Sequence, residues 1–117
     1  MTLLSQAFQF RSAYGLTKEN SPGSLQLSLI KEEYNEFFQE VSNPGASNAD
    51  MLKELGDLVF VCYQFAAVMG WDLDEAMNRI LASNMSKLDD NGEPIRNEDG
   101  KIMKGPNYFK PDLSDLV

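Results

Sequence analysis

The chain has 117 residues, with 18 Asp and Glu against 10 Lys and Arg, no histidine and one cysteine. That length suits one domain burying roughly two-thirds of its unfolded surface, and an apolar content of 43 % is globular rather than disordered. The net charge of −8 argues against a nucleic-acid or anionic-membrane partner, while the missing residues exclude His-based catalysis, a Ser-His-Asp triad, His or cysteine zinc sites and an intramolecular disulfide.

Thr2 is a predicted N-cap for a first, mostly apolar helix carrying Leu3, Leu4, Ala7, Phe8, Phe10 and Tyr14, which Gly15 stops. Ser21-Pro22 predicts an N-cap followed by proline at the first helical position. The second helix then runs to about Val41, with Leu27, Ile30, Tyr34, Phe37, Phe38 and Val41 on one stripe. Asn43-Pro44-Gly45 is a break, and Ser47 with Asp50 resembles a capping box. The third helix is predicted from about Asn48 to Met69. Its second half is apolar on all sides, which calls for cover on all sides and hence for a second copy of the chain. Cys62 lies in this apolar run and reads as a small buried hydrophobe.

Gly70 ends that helix, and Asp72 with Glu75 starts a fourth, whose inner face is Leu73, Met77, Ile80, Leu81 and Leu88. Beyond Leu88 the chain turns polar. Pro94-Ile95-Arg96 and Lys101-Ile102-Met103 flank Asn97-Glu98-Asp99-Gly100 as a short hairpin, and Pro106 and Pro111 keep the rest extended. The expected fold is all-α: a four-helix, bundle-like domain over 1–88 with a hairpin-like C-terminal arm over 89–117, part of the same domain and oligomeric. The longest apolar stretch, 58–70, contains Gln64 and falls short of the ~18 residues of a spanning helix. The first residues lack the basic start of a signal peptide, so a cytoplasmic protein is expected.

The informative residues are acidic. Glu32, Glu33 and Glu36 lie within an arc of about 100° on the second helix, and Glu54 and Asp57 are neighbours at i,i+3 on the third. A short connection makes the two helices antiparallel and can bring the acidic groups together beside apolar surface. Such convergence is unfavourable unless the carboxyls protonate or gain a cation. An all-oxygen set without His or Cys suits Mg²⁺ or Mn²⁺ better than Ca²⁺, and Mg²⁺ commonly completes its shell with substrate phosphates. Either acidic run alone is an ordinary solvated helix face. That reading survives if Lys53 pairs with Asp57 and Lys31 screens its neighbours. On the fourth helix, Asn84 falls on the apolar face, with Lys87 one turn on. These two can reach a phosphate or sugar, or Asn84 can serve as a structural hydrogen-bond donor. The arm concentrates the cations, with Lys87, Arg96, Lys101, Lys104 and Lys110 making up half of all Lys and Arg, and the stretch from Lys104 to Tyr108 can close over a polyphosphate.

Glu32-Glu33-Tyr34-Asn35-Glu36, seventeen intervening residues, then Glu54-Leu55-Gly56-Asp57-Leu58 resembles the E-E-x-x-E and E-x-x-D signature of MazG-like all-α nucleoside triphosphate pyrophosphohydrolases. Asn84 with Lys87 resembles that family's downstream asparagine and lysine. The likeness covers roughly residues 24 to 88, and the arm resembles short, phage-type members. It implies a homodimer or homotetramer that hydrolyses a nucleoside triphosphate to monophosphate and pyrophosphate with Mg²⁺, Mn²⁺ being a substitute. It also implies metal ligation by Glu33, Glu36, Glu54 and Asp57, with Glu32 as base for the attacking water. Asn84 and Lys87 would steady the triphosphate, joined by Lys104 and Tyr108. Some phage relatives act on guanine nucleotides, which favours a deoxypurine substrate such as dGTP. Two alternatives stand beside this reading: the same fold acting on dUTP or phosphoribosyl-ATP, and a non-catalytic helical oligomerisation or regulatory module.

Overall fold

The computed structural model describes all residues, Met1–Val117, and is all-helical: α1 (Leu3–Ala13), α2 (Gly23–Ser42), α3 (Asn48–Met69), α4 (Leu73–Met85) and a terminal 3₁₀ turn (Ser114–Leu116). It divides into two compact units, Met1–Leu73 and Asp74–Val117, so that α4 belongs with the C-terminal segment. No helix is long and apolar enough to cross a membrane.

In the first unit, local chemistry sets the helix ends. The Thr2 and Ser47 hydroxyls accept from the backbone N–H groups of Ser5 and Asp50, caps worth about 1 kcal/mol each. Gly70 closes α3 in the left-handed conformation, φ +75°. The start of α2 differs from expectation by one residue, because Pro22 and not Ser21 takes the N-cap position. Ser21 is buried. Its hydroxyl accepts from the Gln26 side chain and its carbonyl from Arg11, so it is not available to cap the backbone. Arg11 also donates to the Thr17 carbonyl, which ties the α1–α2 connection to α1.

Ala7, Tyr63 and Ala67 form the core of this unit, with Leu4 and Leu73 against them, and the Phe10 and Phe60 rings meet edge to face. Gly23, at the start of α2, lies against Met69 and Phe65 near the end of α3. The two helices are therefore antiparallel, as a connection of only Asn43 to Ser47 demands. The all-apolar second half of α3 is covered only in part within the single chain: Val61, Tyr63, Ala66, Ala67 and Val68 are buried, whereas Val59, Phe60 and Met69 are exposed. Further uncovered apolar side chains are Leu27, Tyr34, Phe38 and Val41 on the α2 stripe, and Leu52 and Leu55 on the first half of α3.

The second unit is held by polar staples. Arg79 grips both carboxylate oxygens of Asp115 and the Asp112 carbonyl. The Ser83 hydroxyl donates to the Phe109 carbonyl, and the Phe109 N–H donates to Ser86. The predicted hairpin is present as one antiparallel bridge, Arg96 to Ile102, with Asn97 Oδ1 accepting from the N–H groups of Asp99 and Lys101 and Gly100 at φ +83°. The predicted inner face of α4 is corrected as well. Met77 and Leu81 are exposed, Leu88 lies past the helix end, and Ala76 and Ser83 are the buried residues.

Gly105 presses on the end of α4. A Cβ there would stand 2.5 Å from the Leu88 carbonyl oxygen and 2.6 Å from that of Lys87. Both are backbone atoms with little room to yield, so Gly105→Ala is expected to lower stability by about 1–3 kcal/mol. A thermal melt checks this, and an unchanged Tm would mean the arm does not pack here.

Candidate metal centre

The antiparallel pairing of α2 and α3 makes positions equidistant from the connection meet. Glu36 is seven residues before Asn43, and Glu54 is seven after Ser47. In the structure, carboxylate oxygens of Glu33, Glu36 and Glu54 all lie within 4.8 Å of one another. Glu33 and Glu54 each have one oxygen, Oε2, that is shut off from solvent and without any hydrogen-bond partner. An ionised carboxylate oxygen in that state is strongly unfavourable unless a proton or a cation reaches it.

Asp57 stands beside this group but is engaged differently. Lys53 Nζ lies 2.7 Å from Asp57 Oδ2 and 3.7 Å from Glu54 Oε1. The pairing that would let a bland solvated face persist is thus partly present. It does not neutralise the site, because one ammonium faces four carboxylates and leaves both buried oxygens untouched. The lysine side chain is 67 % exposed, so its bridge is screened by solvent and yields easily to a competing cation.

The Glu33 carboxyl is held above its ordinary pKa of 4.5, first by burial, then by the charge of Glu36 and a hydrogen bond to it, then by Asp57 and Glu54. The folded chain therefore binds this proton more tightly than the unfolded chain does. The resulting contribution to stability is complete below pH 4.5 and is lost as pH rises through the folded value. Metal-free protein is expected to gain stability relative to Glu33→Gln as pH is lowered from neutrality toward that window. Parallel melting curves for the two proteins at all pH values would contradict this.

These donors fit a hard divalent cation: clustered carboxylate oxygens, two of them orphaned and buried, without nitrogen or sulfur. Glu32, on the same helix, is exposed and outside the cluster.

In the second unit, Asn84 is exposed on α4, which corrects its expected place on the apolar face. The buried line of that helix runs through Ala76 and Ser83, one i,i+7 step, and Asn84 sits about 100° away from it. Ser83, not Asn84, is the buried polar residue there. Its bond to Phe109 spans 26 residues, so only the preference for a small polar residue facing a returning strand of chain could have signalled it. Lys87 is half-buried just past α4, and Lys104 Nζ sits 4.8 Å from the centroid of the Tyr108 ring, a cation–π contact. Lys87 and Lys104 line one cleft together with Lys101, which the sequence places among the arm's cations but not among the residues expected at the triphosphate.

Comparison with known proteins agrees with the geometry. No curated protein gives a significant match to the chain. The family model described as the MazG nucleotide pyrophosphohydrolase domain matches residues 21–89, a span that holds both acidic runs and the whole of α2, α3 and α4. Since that match covers more than half of the 117 residues, the chain belongs to the MazG nucleotide pyrophosphohydrolase family.

Proposed function

We propose that the chain is a Mg²⁺-dependent nucleoside triphosphate pyrophosphohydrolase, releasing monophosphate and pyrophosphate, with Mn²⁺ able to replace Mg²⁺. The observation that carries this reading is the meeting of Glu33, Glu36 and Glu54 with two buried, unpartnered carboxylate oxygens. Glu33, Glu36 and Glu54 would hold the ion, and Asp57 would join them on release from Lys53. A divalent ion held there supplies charge neutralisation for the triphosphate and polarises the reacting phosphorus.

Glu32 is the proposed base. It is exposed next to Glu33 on α2, is not occupied in the cluster, and can take the proton of an attacking water where no histidine exists. Lys87 and Lys104, with Asn84 and Tyr108, are the proposed phosphate contacts, because they gather cationic charge in an otherwise acidic chain. A deoxypurine triphosphate such as dGTP is the favoured substrate. The uncovered apolar side chains on α2 and the first half of α3 support assembly as a homodimer or homotetramer. The lone free cysteine suits the reducing cytoplasm.

The test is pyrophosphate release from a panel containing dGTP, other deoxynucleoside triphosphates, dUTP and phosphoribosyl-ATP, with Mg²⁺, with Mn²⁺ and with chelator. Cleavage of at least one nucleotide that disappears with chelator is expected. No cleavage with either ion would overturn the reading in favour of a non-catalytic helical module.

A further inference from the structure

The acidic group already carries a cation supplied by the chain itself. Lys53 Nζ lies 2.7 Å from Asp57 Oδ2 and 3.7 Å from Glu54 Oε1, so one ammonium spans both carboxylates that α3 contributes. The contact is selective within Glu54. It takes Oε1 and leaves Oε2 buried and unpartnered, like Oε2 of Glu33. The chain's own charge therefore covers the solvent side of the group and not its inner oxygens. Asp57, the carboxylate the lysine holds most closely, stays outside the set of Glu33, Glu36 and Glu54 whose oxygens meet within 4.8 Å.

Helix chemistry alone does not call for this bridge. An i,i+4 pair supports a helix best with the acid on the N-terminal side, and here the lysine comes first. Both side chains reach solvent, which screens the pair. What draws the ammonium is the excess of carboxylates from two helices, and Lys53 is the only cation ion-paired with them.

We propose that Lys53 is a specificity residue of the metal centre: its ammonium is the resident counter-cation, and the need to displace it makes the centre select divalent over monovalent cations. Against a monovalent ion the ammonium holds its place, because the exchange swaps one positive charge for another and adds the loss of hydration. Against a divalent ion it gives way, because a doubled charge meets the inner oxygens of Glu33 and Glu54 that the lysine leaves untouched, and Asp57 is released to join them. The proposal rests on the metal-centre reading of the acidic group, but on neither a nucleotide nor turnover.

The experiment is titration of Mn²⁺ into the metal-free full chain without nucleotide, followed by calorimetry and by the electron spin resonance of free Mn²⁺, at low and at high KCl. Lys53→Met keeps the apolar stem and removes the charge. It is expected to bind Mn²⁺ about fivefold more tightly than the wild type at low salt, because the internal competitor is gone. Its affinity should also fall more steeply with KCl, because K⁺ then meets a centre with one more unit of negative charge. Lys53→Arg, which keeps the charge, should bind Mn²⁺ no more tightly than the wild type. Lys18→Met, which removes a charge from the α1–α2 connection, should leave the affinity unchanged. A damaged fold or a lost ligand weakens metal binding, so a gain on substitution separates competition from a structural role. Wild-type or weaker Mn²⁺ affinity in Lys53→Met, or an unaltered KCl dependence, would overturn the proposal and leave the metal centre standing. Absence of Mn²⁺ binding in both proteins would overturn the two together. A failed hydrolysis assay bears on neither, since no turnover enters the titration.

Discussion

Glu36→Gln is expected to reduce turnover by about a hundredfold or more while leaving the protein at least as stable as the wild type. Both halves of that result come from one geometry. The Glu36 carboxylate lies within 4.8 Å of Glu33 and Glu54 oxygens, so it is a ligand when a cation is present and a source of repulsion when none is. Its charge and its hydrogen bond both push the Glu33 carboxyl upward. Removing the charge while keeping the shape should relieve a few tenths of a kcal/mol in metal-free protein. Asp57→Asn should behave likewise in turnover, but its stability gain should be smaller, since Asp57 has Lys53 as a partner. Steady-state kinetics alongside thermal melts check the pair. A large loss of stability in Glu36→Gln would assign the acidic group to the architecture and not to the chemistry.

The second large effect is expected from the ion itself. A ligand bound by the folded chain alone stabilises by about 2.7 kcal/mol at a hundred times its dissociation constant, which for a chain of this size is a Tm rise of roughly 10 °C. Saturating Mg²⁺ or Mn²⁺ should therefore raise the melting temperature of the wild type. The rise should shrink in Glu54→Gln, which removes charge from one of the two residues with a buried orphan oxygen. It should also shrink at low pH, where protons occupy the carboxyls in place of the cation. Equal stabilisation of wild type and Glu54→Gln would mean that the ion binds elsewhere.

The parts of this molecule that were legible in its sequence are those governed by neighbours along the chain. Thr2, Ser47 and Gly70 mark helix ends because their caps involve residues within a few positions. The Asn97–Gly100 turn is legible for the same reason. The acidic convergence was legible because a five-residue connection leaves two long helices little choice but to pair antiparallel, which brings Glu36 opposite Glu54. What stayed hidden depends on distant partners. Ser21 looks like a cap, but the Gln26 side chain takes its hydroxyl. Asn84 sits close in phase to an apolar pattern, but the arm folds back onto Ser83, and that contact decides which face of α4 is covered. The second half of α3 reads as apolar on all sides, without revealing that the chain itself covers Val61, Tyr63 and Ala66–Val68 and leaves Val59, Phe60 and Met69 exposed. The close approach of Gly105 to the Lys87 and Leu88 carbonyls, which gathers the lysines, has no signature along the chain at all.

Anomalous diffraction from crystals soaked in Mn²⁺ tests the account at its centre. A manganese peak bounded by the carboxylates of Glu33, Glu36 and Glu54, with Lys53 turned away from Asp57, is the predicted result. Manganese bound only at other acidic residues, with the Lys53–Asp57 bridge intact and the Glu33 and Glu54 oxygens still unpartnered, would contradict it.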